Sequence, residues 1–433
     1  MNELAIGIIG LIFLLGLFLT GIEMFVTMTV IGFIGYAVVV SPNAAMNILA
    51  NDYFDSLESY SLTVVPLFVL MGQVAFNAGI AQRLYDVFHK FIGHIAGGLA
   101  LATVIGAAIF KTICGSLLAT SATFASVAVP EMDKYNYSKK LSTGIVATVS
   151  TLGTLLPPST VLIILGIVTQ QSIGKLFLAG IIPGLILSLF FMIVIFGWAR
   201  INPEIGPASM KYAWKERFAT LPAVILPMII FVIMIGGLMN GFFTPTEAAS
   251  VGTFALIMLC FLKKDLNYFK FRKSLQESLR TSCMILMLVA SSAIFGHFIA
   301  VTNIPANVAG WTATLPFHRS IIMIIILFVY LVGGSFMDDL AFMILATPIF
   351  YPVILSLGYD PIWACMMIAT TVGIGGVIPP VAAPVFIVKN ITKVPLREIY
   401  RGVYPFLISL ILLVIIMFLV PELSTYLPSL LMK

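Results

Sequence analysis

The residues best placed to do chemistry in this sequence are glycines, prolines and hydroxyls that occur twice in the same pattern. Gly153 precedes Pro157-Pro158 and Gly375 precedes Pro379-Pro380, so one Gly-x-x-x-Pro-Pro spacing appears at two places. Proline removes a backbone donor and clashes with the preceding turn, and glycine weakens a helix, so each stretch should interrupt its helix. Carbonyls freed at a helix C-terminal end suit a small hard cation, and the amides of the next helix N-terminus suit an anion. Two further pairs, Gly115-Ser116 (behind Cys114) and Gly334-Ser335, offer the same parts. Hydroxyls crowd the first set, with Ser116, Thr120, Ser121, Thr123, Ser150, Thr151, Thr154, Ser159 and Thr160; Thr370 and Thr371, before Gly373, do this in the second. Asp338-Asp339 follows the second Gly-Ser pair, and one of the two should cap a helix. An acid at membrane depth is also a functional candidate. Singly, such residues serve as kinks or as glue between helices. It is their duplication that points to ligand contact.

Other polar residues carry less. Lys111 precedes the first Gly-Ser pair and would either attract an anion or snorkel to the interface, the reading favoured here. Glu247, in Thr244-Pro245-Thr246-Glu247, fits a capping box better than a proton carrier. His89, His94, His297 and His318 are scattered, and the four cysteines, Cys114, Cys260, Cys283 and Cys365, have no metal-like spacing. There is no Gly-x-x-x-x-Gly-Lys-Ser/Thr loop and no catalytic triad, His-Glu-x-x-His or spaced carboxylate pair, so an enzyme is not expected. The net charge of +5 records topology before it records ligands, and nucleic acid is not an expected partner.

These residues need elements to hold them, and composition says what kind. The 433 residues are 60% hydrophobic and 9% charged, far below the roughly 25% charge of a soluble domain, so the lipid bilayer is a partner of the chain. Spans are expected near residues 4–20, 22–40, 61–80, 141–170, 175–199, 220–239, 245–262, 281–300, 362–388 and 402–421. Two apolar segments, 95–130 and 320–356, are too long for one crossing and have polar, Gly-bearing breaks in the middle. Of the 23 lysines and arginines, all but Lys111, Lys175, Arg319 and Lys433 fall in five loops, at 81–94, 131–140, 200–217, 263–280 and 389–401. All five loops lie in the cytoplasm only if segment 95–130 starts and ends inside and segment 320–356 starts and ends outside. Both then read as re-entrant hairpins, or as helix pairs whose tips reach the far side. Asp52, Asp55, Glu58 and both termini fall outside. Segments 208–218 and 265–280, which mix basic and apolar residues, should be helices along the cytoplasmic surface.

An offset of 222 residues superposes the two halves: Pro130 on Pro352, Tyr137 on Tyr359, Ala147-Thr148 on Ala369-Thr370, Gly153 on Gly375 and Pro157-Pro158 on Pro379-Pro380. An odd number of crossings separates the hairpins, so the second copy is upside down. The expected fold is an all-α polytopic membrane protein, with about ten transmembrane helices and two re-entrant helical hairpins in an inverted repeat. Inverted repeats with broken helices are the architecture of secondary transporters. The expected organisation is scaffold helices at 1–80 and a first repeat at 81–200, with hairpin 95–130 and broken helix 141–170. Scaffold and cytoplasmic surface helices follow at 201–300, then the second repeat at 301–400, with hairpin 320–356 and broken helix 362–388, and a C-terminal helix at 401–433.

Six stretches in order resemble the large membrane subunit, DctM-like, of tripartite ATP-independent periplasmic (TRAP) transporters. They are Cys-Gly-Ser-Leu-Leu-Ala-Thr-Ser-Ala-Thr (114–123), Gly-Thr-Leu-Leu-Pro-Pro-Ser (153–159), Phe-Leu-Ala-Gly-Ile-Ile-Pro-Gly (177–184), Thr-Pro-Thr-Glu-Ala-Ala (244–249), Gly-Gly-Ser-Phe-Met-Asp (333–338) and Gly-Val-Ile-Pro-Pro-Val (376–381). At the first tip Leu117-Leu118 replaces the small residues more usual in the family. The resemblance implies a sodium-coupled importer of small organic anions, carboxylate or sulfonate, working as an elevator in the bacterial inner membrane. It implies two partners, a small four-helix membrane subunit on a separate chain and a periplasmic substrate-binding protein. By the same resemblance, sodium (Na+) would be held at the first tip by Cys114, Gly115 and Ser116 with Ser150, Thr151 and Gly153. At the second tip the residues would be Gly334, Ser335 and Asp338 with Thr370, Thr371, Gly373 and Gly375. Substrate would lie near Ser116, Pro157, Pro158, Ser159, Asp338, Pro379 and Pro380. The rivals are a sodium/dicarboxylate carrier that needs no binding protein and an anion channel.

Overall fold

The structure, a computed structural model, describes residues 2–314 and 316–432. Met1, Leu315 and Lys433 lie outside the described residues, Lys433 being one of the four basic residues beyond the five loops. Among the described residues the protein is all-helical, and eight helices are long and apolar enough to cross a membrane. These include Ile173–Ile201, Pro245–Leu262, Leu396–Leu419 and both arms of the second hairpin, Arg319–Phe336 and Asp339–Ser356. Glu3–Leu19 and Met24–Val39 are apolar but slightly shorter. The outward faces of the apolar helices carry Ile12, Phe13, Ile193, Phe196, Val232 and Ile408, all exposed. So much exposed aliphatic surface is stable only against hydrocarbon.

Local chemistry sets the helix ends. Thr244 and Glu247 form the expected capping box: Glu247 N–H donates to Thr244 Oγ1 (3.3 Å) and Thr244 N–H to Glu247 Oε2 (2.8 Å). Asn267 accepts from Lys270 N–H (2.8 Å) and starts a helix of 34 residues, Tyr268–Val301. That helix corrects one expectation. Residues 268–280 are not a separate surface helix but the first turns of the helix that contains span 281–300. Their serines are absorbed by donating to the preceding turn, Ser274 to Lys270 O (3.0 Å) and Ser278 to Ser274 O (2.6 Å). Within 208–218 only the part belonging to Trp214–Thr220 is helical. Four more helices, Pro42–Glu58, Ile80–Ile92, Ile304–Thr314 and Glu422–Leu431, fall outside the expected spans. Each is too short or too polar to register as a crossing.

The long helix Tyr268–Val301 packs on Met24–Val39, Pro42–Glu58 and Val64–Asn77, and Pro245–Leu262 joins this group through Val64–Asn77. A second group forms around the two hairpins and the helices that follow them. Leu396–Leu419 lies along Lys139–Val149, where Gly144 and Gly402 face each other. A Cβ on Gly402 would collide with Lys140 O, and one on Gly144 with the Gly402 backbone. Gly402→Val should therefore force these helices apart, at about 1–3 kcal/mol for overpacking. Gly236, with open space around it, is the control, and its alanine variant should be neutral or slightly stabilising. Melting temperatures of the purified protein in detergent check both, and an unshifted Gly402→Val would refute the close approach.

Candidate functional site

The first hairpin comprises Gly98–Lys111 and Leu117–Lys134, and the second Arg319–Phe336 and Asp339–Ser356. Each second arm starts from a capped, extended residue. Ser116 Oγ accepts from Ala119 N–H (3.3 Å), and Asp338 Oδ1 accepts from Leu340 N–H (3.2 Å) and Ala341 N–H (3.4 Å). Asp338 is thus the expected cap. These two caps are 222 residues apart, the offset of the repeat.

Both following helices break where the Gly and Pro pattern places a break. The first runs Lys139–Val149, tightens to a 3-10 turn at Ser150–Thr154, leaves helical geometry, and resumes as Thr160–Val168 under a Ser159 cap (Leu162 N–H to Oγ, 3.4 Å). The second runs Pro361–Gly375 and resumes as Ala383–Thr392. Pro157-Pro158 and Pro379-Pro380 are both cis.

Side chains and tips satisfy the main chain that these breaks free. Ser159 Oγ donates to Gly153 O (2.6 Å), and Thr160 Oγ1 reaches across to Gly115 O (3.2 Å). Val381 N–H donates to Ser335 O (2.9 Å), joining the second tip to the second break. A Cβ on Gly115 would sit 2.6 Å from Pro158 O, and one on Gly373 would sit 2.8 Å from Thr154 Cγ2. The glycines therefore let tip touch break, and break touch break.

A cavity of about 390 Å³ opens between the tips. Ser116 and Leu118 line it from the first tip, Asp338 and Asp339 from the second, and Thr160 from the first break. Gln73, Glu277 and Thr281 complete it from the helices Val64–Asn77 and Tyr268–Val301. Cys114 and Gly115 also reach its wall. Among the described residues, the ionisable carboxyl groups on the wall are Glu277, Asp338 and Asp339, and no lysine, arginine or histidine lines it.

The structure brings only part of the expected set to this cavity. Pro157, Pro158 and Ser159 are buried behind the tip, whereas Pro379 and Pro380 are exposed. Pro380 borders a neighbouring shallow cleft with Leu118 and Asn390. Ser150, Thr151 and Gly153 lie in the buried first break, and Gly334, Ser335, Thr370, Thr371, Gly373 and Gly375 are buried around the second. Ser150 and Thr151 donate to Ala147 O (2.6 Å) and Thr148 O (2.7 Å), and Thr370 to Met366 O (2.7 Å). Thr371 Oγ1, by contrast, is buried with no partner.

Lys111 overturns the snorkelling expectation. Its side chain is fully buried, and Nζ donates to Ser116 O (2.7 Å). A Cβ on Gly153 would collide with that same Nζ. Sequence reasoning also missed Glu277 and Gln73. Ser274, Glu277, Ser278 and Thr281 lie three or four residues apart, a polar stripe on one helix face that was the available signal.

A family profile described as "Tripartite ATP-independent periplasmic transporter, DctM component" matches residues 11–423. Among characterised relatives, the C4-dicarboxylate TRAP transporter large permease protein DctM of Pseudomonas aeruginosa is 34% identical over 90% of this chain and 91% of its own. The ectoine TRAP transporter large permease protein TeaC of Halomonas elongata is 30% identical over 96% of this chain and 97% of its own. Among solved structures, the Alcanivorax borkumensis YdaH transporter shares the fold at a TM-score of 0.63 and 11% identity, over 87% of this chain and 88% of its own. Broken helices and capped hairpins meeting at one cavity, with a family match along nearly the whole sequence, lead to one assignment: the chain belongs to the DctM family of TRAP transporter large permease subunits, multi-pass membrane proteins.

Proposed function

We propose that the protein is the transport subunit of a sodium-coupled, binding-protein-dependent importer of small organic acids in the bacterial inner membrane, with both termini on the periplasmic side. The observation that carries this reading is the cavity of about 390 Å³ closed by both hairpin tips and the first helix break. Its volume falls in the range of small-molecule sites. Its lining offers the amide-bearing N-termini of Leu117–Lys134 and Asp339–Ser356, whose dipoles favour a carboxylate or sulfonate.

The way the elements divide supports an elevator mechanism. The hairpins and broken helices pack on one another, and the Tyr268–Val301 group forms the other wall of the cavity. The first block would slide along the second, carrying the cavity between faces as re-entrant tips open and close. Buried Pro157-Pro158 against exposed Pro379-Pro380 supports a state open on one side only. A small membrane subunit on a separate chain would brace the scaffold, and a periplasmic protein would deliver cargo.

Sodium would be co-transported. The second break suits it. Facing glycines let main-chain carbonyl oxygens come close together there, since a Cβ on Gly375 would lie 2.7 Å from Leu331 O and one on Gly334 would lie 3.1 Å from Val372 O. The unpartnered Thr371 hydroxyl supplies a further oxygen.

The carboxylates Glu277, Asp338 and Asp339, with no basic lining residue among the described residues, favour a second reading of the cargo. A zwitterion would place its cationic end against them, as the ectoine named for one relative would.

Co-reconstitution of both membrane subunits tests the proposal, with labelled C4-dicarboxylate, sugar acid, sulfonate and ectoine as probes. Uptake of one probe should require the added periplasmic protein and should stop when choline replaces sodium. Uptake without the soluble protein would establish the independent carrier, and sodium-independent flux a channel. Ser116→Leu, which puts bulk at the cavity wall, and Asp338→Ala should each lower uptake at least tenfold. Membrane insertion should survive, since a lost cap costs only about 1 kcal/mol. Normal uptake in both variants would refute the site.

A further inference from the structure

Among the chemical differences between the two repeats, one lies just before the hairpin tip. At the offset that places the cap Ser116 on the cap Asp338, Lys111 falls on Gly333. The first repeat thus holds a lysine where the second holds no side chain.

The place where that lysine ends is a cation's place. Gly98–Lys111 ends beside the tip, and Lys139–Val149 ends at the 3-10 turn Ser150–Thr154, so two helix C-termini turn their negative dipole ends toward it. Nζ bonds Ser116 O at 2.7 Å, the same carbonyl that accepts from Thr120 Oγ1 at 3.0 Å. On the other side Nζ occupies the volume a side chain at Gly153 would need. No ion pair forms on Lys111 among the described residues. A buried ammonium without a carboxylate partner is expensive unless main-chain dipoles replace its water. The Ser116 carbonyl and the two helix C-termini here do what they would do for a bound metal ion.

Residues 114–116 and 150–153, expected from the family resemblance to hold sodium, therefore do not fit that ion. We infer that the Lys111 ammonium is a tethered cation built into the first repeat, which binds no sodium, so that only the second repeat takes an ion from solution. The contrast between the repeats supports this. Gly333 puts no charge beside the second tip, and there the buried Thr371 hydroxyl is left without a partner.

The inference builds on the proposal of sodium coupling but is separable from it. Binding of ²²Na⁺ to the purified protein in lipid nanodiscs reads the number of ions per chain without any transport assay. The expected count is one for the wild type, none for Thr371→Val and two for Lys111→Ala, which vacates the first position. Two ions on the wild type, or no added ion on Lys111→Ala, would overturn the inference. None on the wild type with one on Lys111→Ala would uphold the lysine's role while overturning sodium coupling through the second repeat. Should the alanine variant fail to fold, Lys111→Ser replaces it, and the wild-type count alone can still refute the claim.

Discussion

Every peptide group held at membrane depth must find a partner, because hydrocarbon offers none. The two helix breaks defy that constraint locally and meet it through neighbours. Ser159 covers Gly153 O, Thr160 covers Gly115 O, Val381 N–H covers Ser335 O, and Lys111 covers Ser116 O. Each of these bonds joins a break or a helix end to a tip or to the other side of the same break. The satisfaction of the backbone is therefore also the assembly of the site, and the glycines at 115, 373 and 375 exist in close contacts that a Cβ would spoil.

From this constraint follows the division of labour in the chain. Helices without breaks, such as Ile173–Ile201 and Leu396–Leu419, satisfy their own backbones and can face lipid with plain aliphatic surfaces. The broken ones cannot, and they sit inside: residues 141–156 and 362–375 are buried without exception. The hairpins and broken helices that bound the cavity also pack on one another, so they form one block.

Much of this was legible in the sequence because it is local chemistry. Clustered glycine and proline interrupt a helix locally, whereas single prolines such as Pro183 and Pro405 sit inside continuous helices, so the interruptions after Val149 and Gly375 and the turns before Leu117 and Asp339 could be read from residue type and clustering. The caps at Asp338 and Thr244 are local in the same sense. What could not be read depends on approach between distant segments. A lysine near a helix end ordinarily escapes to water, and the burial of Lys111, its bond to Ser116 O and the placement of Gly153 against Nζ show that this one does not. Glu277 lies in a segment so rich in lysine and arginine that it reads as solvated, until the helix Tyr268–Val301 carries it to the cavity wall. The short helix Ile80–Ile92 was hidden for the opposite reason, since its charged face resembles a loop.

The central claim is that two oppositely oriented modules bring broken backbone to one shared cavity. A cryo-EM map of the protein in lipid nanodiscs, in which the disc marks the membrane faces, tests it most directly. The account predicts that residues 98–134 and 319–356 enter from opposite faces, with interrupted helices at 150–159 and 376–382 between them. Hairpins entering from the same face, or continuous helices through either Pro-Pro pair, would contradict it.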